Sequence, residues 1–491
     1  MVNYFLGLDL GSSSVKCAIV DEHGNTVGNG KFPEKEMVID APKAGWAEQN
    51  PDDWWNYVLE AIKLALVDAP AVKAQNIKSI GISYQMHGLV VVDDQGKPLR
   101  PSIIWCDSRA VEVGNETFDA MGRQFCLDHC LNSPANFTAS KLKWVKDNEP
   151  EIYNKIHKAM LPGDFIAYKM SGKITTSVSG LSEGIFWDFK TDNVSVDLLN
   201  TMGISPDLLA PPSNSFEASS LTNELFAELT GIQPGTPISY RAGDQPNNAL
   251  ALAVLEDGEA AGTGGTSGVV YAVSKSVVPD AQSRVNCFAH VNHTSEDPHI
   301  GTLLCINGTG ILYNWLRTNF YADRAYPELE KIASEVTKGA EGVRVYSFGN
   351  GAERMLGNAN PGATIKGLDF NRHTRKHILR AGLEGIAFAF AYGLEVMKEM
   401  GIEVRKMKVG DDNLFQSKVF GQTLADVAGV EIEVYHTNGA AGAAKGSAFG
   451  AGYFSNLREA VSNIHQVNEY SPSIDAELVE IYKDWKKGIA Q

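Results

Sequence analysis

Leu6-Gly7-Leu8-Asp9-Leu10-Gly11-Ser12-Ser13-Ser14-Val15-Lys16 is the stretch on which the reading of this 491-residue chain turns. Apolar residues with the pattern of a buried strand run into Asp9, then into Gly11 and three serines. Val15-Lys16-Cys17-Ala18-Ile19-Val20 follows as a second strand, ending at the turn Asp21-Glu22-His23-Gly24. A dinucleotide-binding or Walker-type loop leads into a helix instead. Strand, hydroxyl-rich turn, strand is another way to hold phosphate, with backbone N–H groups and hydroxyls lining a concave turn. An Asp beside such a turn suits hydrated Mg2+, whose hard charge prefers carboxylate and phosphate oxygens. The stretch therefore predicts a nucleotide site.

The motif returns half a chain later. Gly262-Thr263-Gly264-Gly265-Thr266-Ser267-Gly268-Val269-Val270-Tyr271 is again a glycine and hydroxyl turn feeding a strand. Two such turns, each near the start of one half, predict a duplicated fold whose halves face each other, one hairpin from each gripping the nucleotide phosphates. The length agrees, being too great for a single core and suited to two large domains.

Composition narrows the class. Hydrophobic content of 44% and charged content of 21% belong to an ordinary globular protein. A net charge of −16 argues against a nucleic-acid surface but leaves room for a local phosphate-binding turn. No basic leader or cleavage site precedes the first strand, and no apolar run is long enough to span a bilayer. A cytoplasmic protein without membrane or nucleic-acid partners is expected. The six cysteines (17, 106, 126, 130, 287 and 305) are scattered. Cys126, His129 and Cys130 can share a helical face, but two thiols and one imidazole lack a closing zinc ligand, so reduced thiols are expected.

Pro51 and the acidic pair Asp52-Asp53 mark a helix start. Ile77-Lys78-Ser79-Ile80-Gly81-Ile82-Ser83 reads as a buried strand that delivers Tyr84-Gln85-Met86-His87-Gly88 at its carboxyl end, where ligands sit in open α/β sheets. Ile103-Ile104-Trp105-Cys106-Asp107-Ser108-Arg109 reads as another strand with a polar exit. A lone His after a strand is usually structural. Here Gln85, His87, Trp105, Asp107 and Arg109 gather at two strand ends, which points to a pocket for a polyhydroxylated ligand. Between 107 and 237 the pattern is weaker, with helices over 140–146 and 161–170 that cover the sheet. A strand over 238–243 then ends at Gly243, with Asp244 at the turn and a helix from Asn248. Asp244 serves either as a helix cap or as a general base; capping leaves the flanking Gly243 and Gln245 unexplained. A helix also begins near Gly308, and a buried one runs from 382 past 397.

Taken in order, these residues resemble the FGGY carbohydrate kinases, and within them the xylulokinases. The resemblance is carried by the Asp9 hairpin, Gln85-Met86-His87-Gly88, Trp105 with Asp107, Gly243-Asp244-Gln245, Gly265-Thr266-Ser267-Gly268, and Gly351-Ala352-Glu353-Arg354 followed by Asn360-Pro361. The Met-His-Gly triplet looks specifically like xylulokinase, and the Arg-Glu pair of glycerol kinases is absent.

The resemblance implies an α/β fold of two actin-like, ribonuclease-H-like domains, 1–245 and 246–491, with a cleft between them, and a homodimer as the candidate assembly. It implies ATP and Mg2+ as cofactors and phosphorylation of D-xylulose to D-xylulose 5-phosphate, with L-ribulose or glycerol as alternative acceptors and a non-sugar actin-like ATPase as the remaining alternative. Asp244 and Asp9 would be catalytic, Asp244 as the base and both as metal ligands. Met86, His87, Trp105, Asp244 and Gln245 would bind the sugar. Gly11, Ser12, Ser13, Lys16, Gly265, Thr266, Ser267, Gly310, Asn314, Gly410 and Asn413 would bind the nucleotide. Two departures stand out: xylulokinases often carry Asp-Asn where this chain has Asp244-Gln245, and in the adenosine segment only Gly410 and Asn413 match. Because a hydroxyl loses its proton late in phosphoryl transfer, an ordinary carboxylate is expected to suffice at Asp244.

Overall fold

The computed structural model describes residues 2–411 and 413–489. Near-continuous apolar runs build β1 (Tyr4–Leu10) and β2 (Val15–Asp21), buried on both faces, and the alternating β3 (Thr26–Phe32) completes an antiparallel meander. α1 (Pro51–Asp68) follows, its first turn capped by the Asn50 side chain with Pro51 where no N–H is needed. β4 (Ile77–Tyr84) then adds parallel to β1, and β5 (Pro237–Gly243) parallel to β4. The order is β3-β2-β1-β4-β5, with a two-residue antiparallel strand, Ser220–Leu221, at the far edge.

The second half repeats this. β6 (Glu259–Gly264), β7 (Gly268–Ser274) and β8 (Ile300–Ile306) are antiparallel neighbours, while β9 (Lys406–Gly410) and β10 (Glu431–His436) add in parallel. Its order, β8-β7-β6-β9-β10, is that of the first sheet, extended by Asn286–Ala289 and His465–Tyr470 at the two edges. This is the ribonuclease-H-like topology twice over, so the duplication read from two turns extends to whole sheets.

Five further segments are helices in this account: α2 (Thr138–Asn148), α3 (Pro162–Ser171) and α4 (Val178–Glu183) lie between β4 and β5, and α5 (Asp244–Ala251) and α6 (Gly310–Phe320) lie beyond. α7 (Arg375–Glu399), α8 (Lys418–Ala428) and α9 (Gly439–Gly450) complete the set that positions the site. Two local expectations change. The strand with a polar exit read over 103–109 is only Ser102–Ile103, with Trp105 in the turn that follows. The helix expected from Asn248 starts at Asp244, because Pro246 falls in the first turn, where a missing N–H has no partner to lose.

α1 covers one face of the first sheet, its Val58, Ala61, Ile62 and Ala65 packing with Leu6, Leu8 and Leu10. The opposite face is covered by α9, which belongs to the other half of the sequence. α9 carries Gly-Ala-Ala-Gly-Ala-Ala-Lys-Gly-Ser-Ala, small enough for backbone to touch backbone. A methyl group on Gly7 would lie 1.8 Å from the Ala440 carbonyl oxygen, and one on Gly81 2.0 Å from that of Ala443. Ser79 and Ser447 hydroxyls meet at 2.8 Å, and Ser239 donates to the Ser447 carbonyl at 2.8 Å. α5 makes the reciprocal crossing, its Ala249 and the capping residue Leu252 packing with Ala261, Tyr271 and Val273 of the second sheet. Among the described residues no helix is long and apolar enough to cross a membrane.

Gly7→Ala is expected to drive α9 off the sheet and to cost about 3 kcal/mol or more, an overpacking penalty at a site where only backbone can yield. Urea unfolding followed by circular dichroism measures it; an unchanged midpoint would contradict the close approach.

Candidate active site

Both hairpin turns are rich in glycine and hydroxyl residues, but the first spans 11–14 and the second 265–267. In the first, the Gly11 N–H donates to the Ser14 carbonyl at 3.1 Å, and Asp9 sits across the register from Lys16. Ser13 and Lys16 are exposed, with Gly11 and Ser12 partly so. In the second, Thr266 is exposed at the tip, between the partly exposed Gly265 and Ser267. The first N–H groups of α6 dock onto it: Gly310 donates to the Gly265 carbonyl at 2.9 Å and Ile311 to that of Thr266 at 3.1 Å. Gly310 is required there, since a methyl would fall 2.3 Å from the Gly265 oxygen.

Behind this hairpin opens a cavity of about 810 Å³, lined by Gly265, Thr266, Gly310, Asn314 and Asn413 with Tyr313 and Tyr326. Five of the expected nucleotide residues thus share one wall. Tyr313 and Tyr326 lie with ring centroids 4.9 Å apart and their planes inclined at 45°, giving an aromatic side suited to a base. The Asn413 side chain caps the turn at 414–416, accepting from the Phe415 N–H at 3.0 Å. Gly410 ends β9 and is not among the lining residues; the neighbouring Asp412 lies outside the described residues.

At the seam between the halves stand two carboxylates. Asp9, on β1, accepts from the Ser83 hydroxyl of β4 at 2.9 Å. The N-terminus of α9, capped by Asn438, abuts it so closely that a methyl on Gly439 would lie 2.9 Å from Asp9 Oδ2. The positive end of a helix there favours an anion. Asn247 of α5 donates to the Gly439 carbonyl at 2.9 Å, tying the two crossing helices together beside the carboxylate.

Asp244 opens α5, and its side chain does not cap the helix. Burial, then the charge of Asp9, push its carboxyl up to about 7, against hydrogen bonds from Gln245 that favour the ionised form. The expected ordinary carboxylate is therefore a perturbed one, because tertiary packing sets a second acid beside it. Two carboxylates that disfavour each other are a donor set a divalent cation fits, and Mg2+ characteristically takes one or two carboxylates with water and phosphate completing its shell.

The expected sugar end lies after β4. Met86 is buried; His87 has φ 60°, in the left-handed region. Its carbonyl accepts from the Lys141 ammonium of α2 at 2.7 Å, and its Nδ1 lies 3.0 Å from the Glu183 carbonyl. Burial, then the nearby Lys141, lower its pKa to about 3, so the ring is neutral. A carbonyl beside Nδ1 assigns the proton to that atom and leaves Nε2 as an acceptor. Phe137 stands edge-on at 4.8 Å, and Phe288, from the second sheet, lies at 5.4 Å. Trp105 is 51% exposed, and its Nε1 reaches Ser12 Oγ at 3.4 Å, linking this end to the first hairpin.

Not every polar residue gathered here is available. Gln85 donates to Gln49 at 3.1 Å, while Asp107 is fully buried and accepts from Arg109 and the Ala47 N–H. Arg109 also pairs with Glu48 at 2.7 Å and stacks 3.7 Å over Trp46. These three residues are engaged within the protein, whereas Trp105 is exposed and His87 half-buried. His129 pairs with Asp188 at 2.9 Å, and Cys130 lies beside Ser195. Among the described residues no cluster of three or more His, Cys, Asp and Glu is arranged for a metal.

Sequence reading missed Lys141, Glu183 and Phe288. Lys141 carried a signal, since it shares the inward face of α2 with Thr138, Leu142 and Val145. Burial lowers its pKa to about 7.

Models of the FGGY family of carbohydrate kinases match residues 4–251 (N-terminal domain) and 260–454 (C-terminal domain). The chain is 29% identical over 490 residues to a xylulose kinase of Bacillus subtilis, covering 98% of this chain and 95% of that one. Among solved structures it is similar to a xylulose kinase of Rhodospirillum rubrum (TM-score 0.88, 23% identity, 99% and 98% of the two chains). It is likewise similar to a Plasmodium falciparum glycerol kinase with ADP (TM-score 0.89, 22% identity, 100% and 98%). At these identities the structures speak for the fold.

Gly310→Val is expected to part α6 from the second hairpin and weaken ATP binding at least about tenfold, as steric overpacking does. Isothermal titration calorimetry with ATP reads this directly; unchanged affinity would remove the cavity from the nucleotide site.

Proposed function

The chain belongs to the FGGY family of carbohydrate kinases, and from that premise we propose that it transfers the γ-phosphoryl group of ATP to D-xylulose, giving D-xylulose 5-phosphate. The observation that carries this reading is the placement of Asp244. It follows Gly243, which packs against Met86, and it shares the seam with Asp9 of the first phosphate hairpin. A carboxylate whose proton affinity is raised to about 7 is matched to taking a proton near neutral pH.

In this reading Met86, His87, Trp105 and Gln245 orient the sugar, with His87 Nε2 accepting from one of its hydroxyls. Asp244 takes the proton from the attacking hydroxyl. Gly11, Ser12, Ser13 and Lys16 hold phosphate from one side, and Gly265, Thr266 and Ser267 from the other. Gly310, Asn314, Gly410 and Asn413 serve the nucleoside end. Asp9 and Asp244 would hold Mg2+, which when bound neutralises phosphate charge. Phosphoryl transfer asks mainly for such alignment and charge balance. Residues 1–245 would form the sugar side and 246–491 the nucleotide side, supported by a cavity whose lining runs only from 264 to 417. Closure of the cleft would bring the nucleotide over the sugar and exclude water, the competing acceptor.

One observation favours another acceptor. Gln245 donates to the Asp244 carboxylate from both backbone and side chain, and the Asp-Gln pair resembles that of glycerol kinases. Phosphorylation of a panel of D-xylulose, L-ribulose and glycerol, followed by coupled ADP detection, separates these. D-xylulose is expected to lead in kcat/KM by at least about tenfold. L-ribulose or glycerol in front would replace the substrate assignment and leave the chemistry intact.

For Asp244→Asn, turnover is expected to fall by at least about 10² while ATP still binds. In the parent protein kcat/KM for sugar should fall on an acid limb that lies at or below pH 7 and moves lower as Mg2+ is raised, because only the ionised base accepts a proton and a bound cation favours that form. The acid limb should disappear in the variant. Near-normal turnover of Asp244→Asn would end the assignment of the base.

A further inference from the structure

Glu183, at the end of α4, is 1% exposed, and nothing in the phosphoryl-transfer scheme uses it. It holds His87 twice over. Its backbone carbonyl faces His87 Nδ1 at 3.0 Å, and its Oε1 accepts from the His87 N–H over a long 3.5 Å. Its Oε2 is buried without a hydrogen-bond partner. That oxygen sits where a side chain on residue 243 would go: a methyl on Gly243 would lie 2.4 Å from Glu183 Oε2 and 2.5 Å from Met86 Cγ. Gly243 is thus explained by a third residue, one that also reaches His87.

We propose that Glu183 is a positioning residue of the sugar site, holding the His87 backbone and ring and forming the floor beneath Met86 and Gly243. The proposal rests on the reading of Met86 and His87 as sugar contacts. His87 adopts a left-handed backbone that costs an ordinary residue free energy, and it persists only where surrounding groups over-determine it. Lys141 fixes the carbonyl of that residue from one side and Glu183 fixes its N–H and Nδ1 from the other. Burial and the neighbouring Asp244 push the Glu183 carboxyl up. Glutamine keeps a side-chain oxygen that can accept from the His87 N–H, while an apolar side chain removes that bond.

Glu183→Met and Glu183→Gln, each alone and combined with His87→Ala, test the role. Thermal melting identifies folded variants, and Glu183→Leu replaces Glu183→Met if the latter does not fold. For Glu183→Met the sugar KM should rise about tenfold, the loss of one buried hydrogen bond, with ATP KM within about twofold. Glu183→Gln should stay within about threefold of the parent sugar KM. On a His87→Ala background Glu183→Met should add less than about threefold, because residues acting through one another are not additive. An unchanged sugar KM in the apolar variant, an equal loss in Glu183→Gln, or losses that multiply in the double variant would overturn the proposal. The unmodified protein on the sugar panel tests the substrate reading by itself. Ratios of variant to parent, taken with whichever sugar the parent phosphorylates, test Glu183.

Discussion

The close approach of α9 to the first sheet is the contact on which the rest depends. Gly7 and Gly81 bare the strand backbones, and the Ala and Gly face of α9 lies directly on them, with carbonyl oxygens where methyl groups would otherwise stand. A helix seated this deeply has one position along the sheet. That position sets its N-terminus against Asp9 and its Gly439 carbonyl against Asn247 of α5. Since α5 begins at Asp244 and packs on the second sheet, one pair of crossing helices fixes both carboxylates and both sheets about a single seam.

Electrostatics at the seam follow from that geometry. Raising the Asp244 carboxyl from an ordinary value to about 7 corresponds to roughly 4 kcal/mol against its charged form. The two hydrogen bonds from Gln245 to the ionised carboxylate oppose this, each worth about 1.5–3 kcal/mol, and the raised value is what remains after burial and Asp9 outweigh them. His87 is treated in the opposite way: burial, then Lys141, keep it neutral, so that its ring is a fixed hydrogen-bonding group and not a charge. Burial thus raises the proton affinity of the Asp244 carboxyl and lowers that of the His87 ring, in each case disfavouring the charged form.

Much of this was legible from particular residues. The strand–turn–strand signature at Asp9–Lys16 and its echo at Gly265–Gly268 depend on local turn chemistry, and both hairpins form with the expected partners in register. Pro51 with its acidic neighbours gave the α1 start for the same reason. Gln85, Asp107 and Arg109 were drawn toward the pocket by their positions at strand ends, yet hydrogen bonds to Gln49, Ala47 and each other turn them into supports. Which polar group is spent on the wall depends on side chains far away in sequence, as with Gln49 and Gln85.

The sequence by itself determined the duplicated α/β architecture, the two glycine- and hydroxyl-rich hairpin turns, and Asp9, Asp244 and Met86-His87 as the residues to watch. These follow from periodicity, turn-forming residues and ordered motifs, all local in the chain. Only the tertiary structure decided that α9 crosses to the first sheet, that Asp244 is a perturbed acid, and that Lys141, Glu183 and Phe288 surround His87. Burial and electrostatic coupling are properties of distance through space, and the residues that create them here come from segments 54 to 201 positions away from His87 and from the far end of the chain beside Asp9.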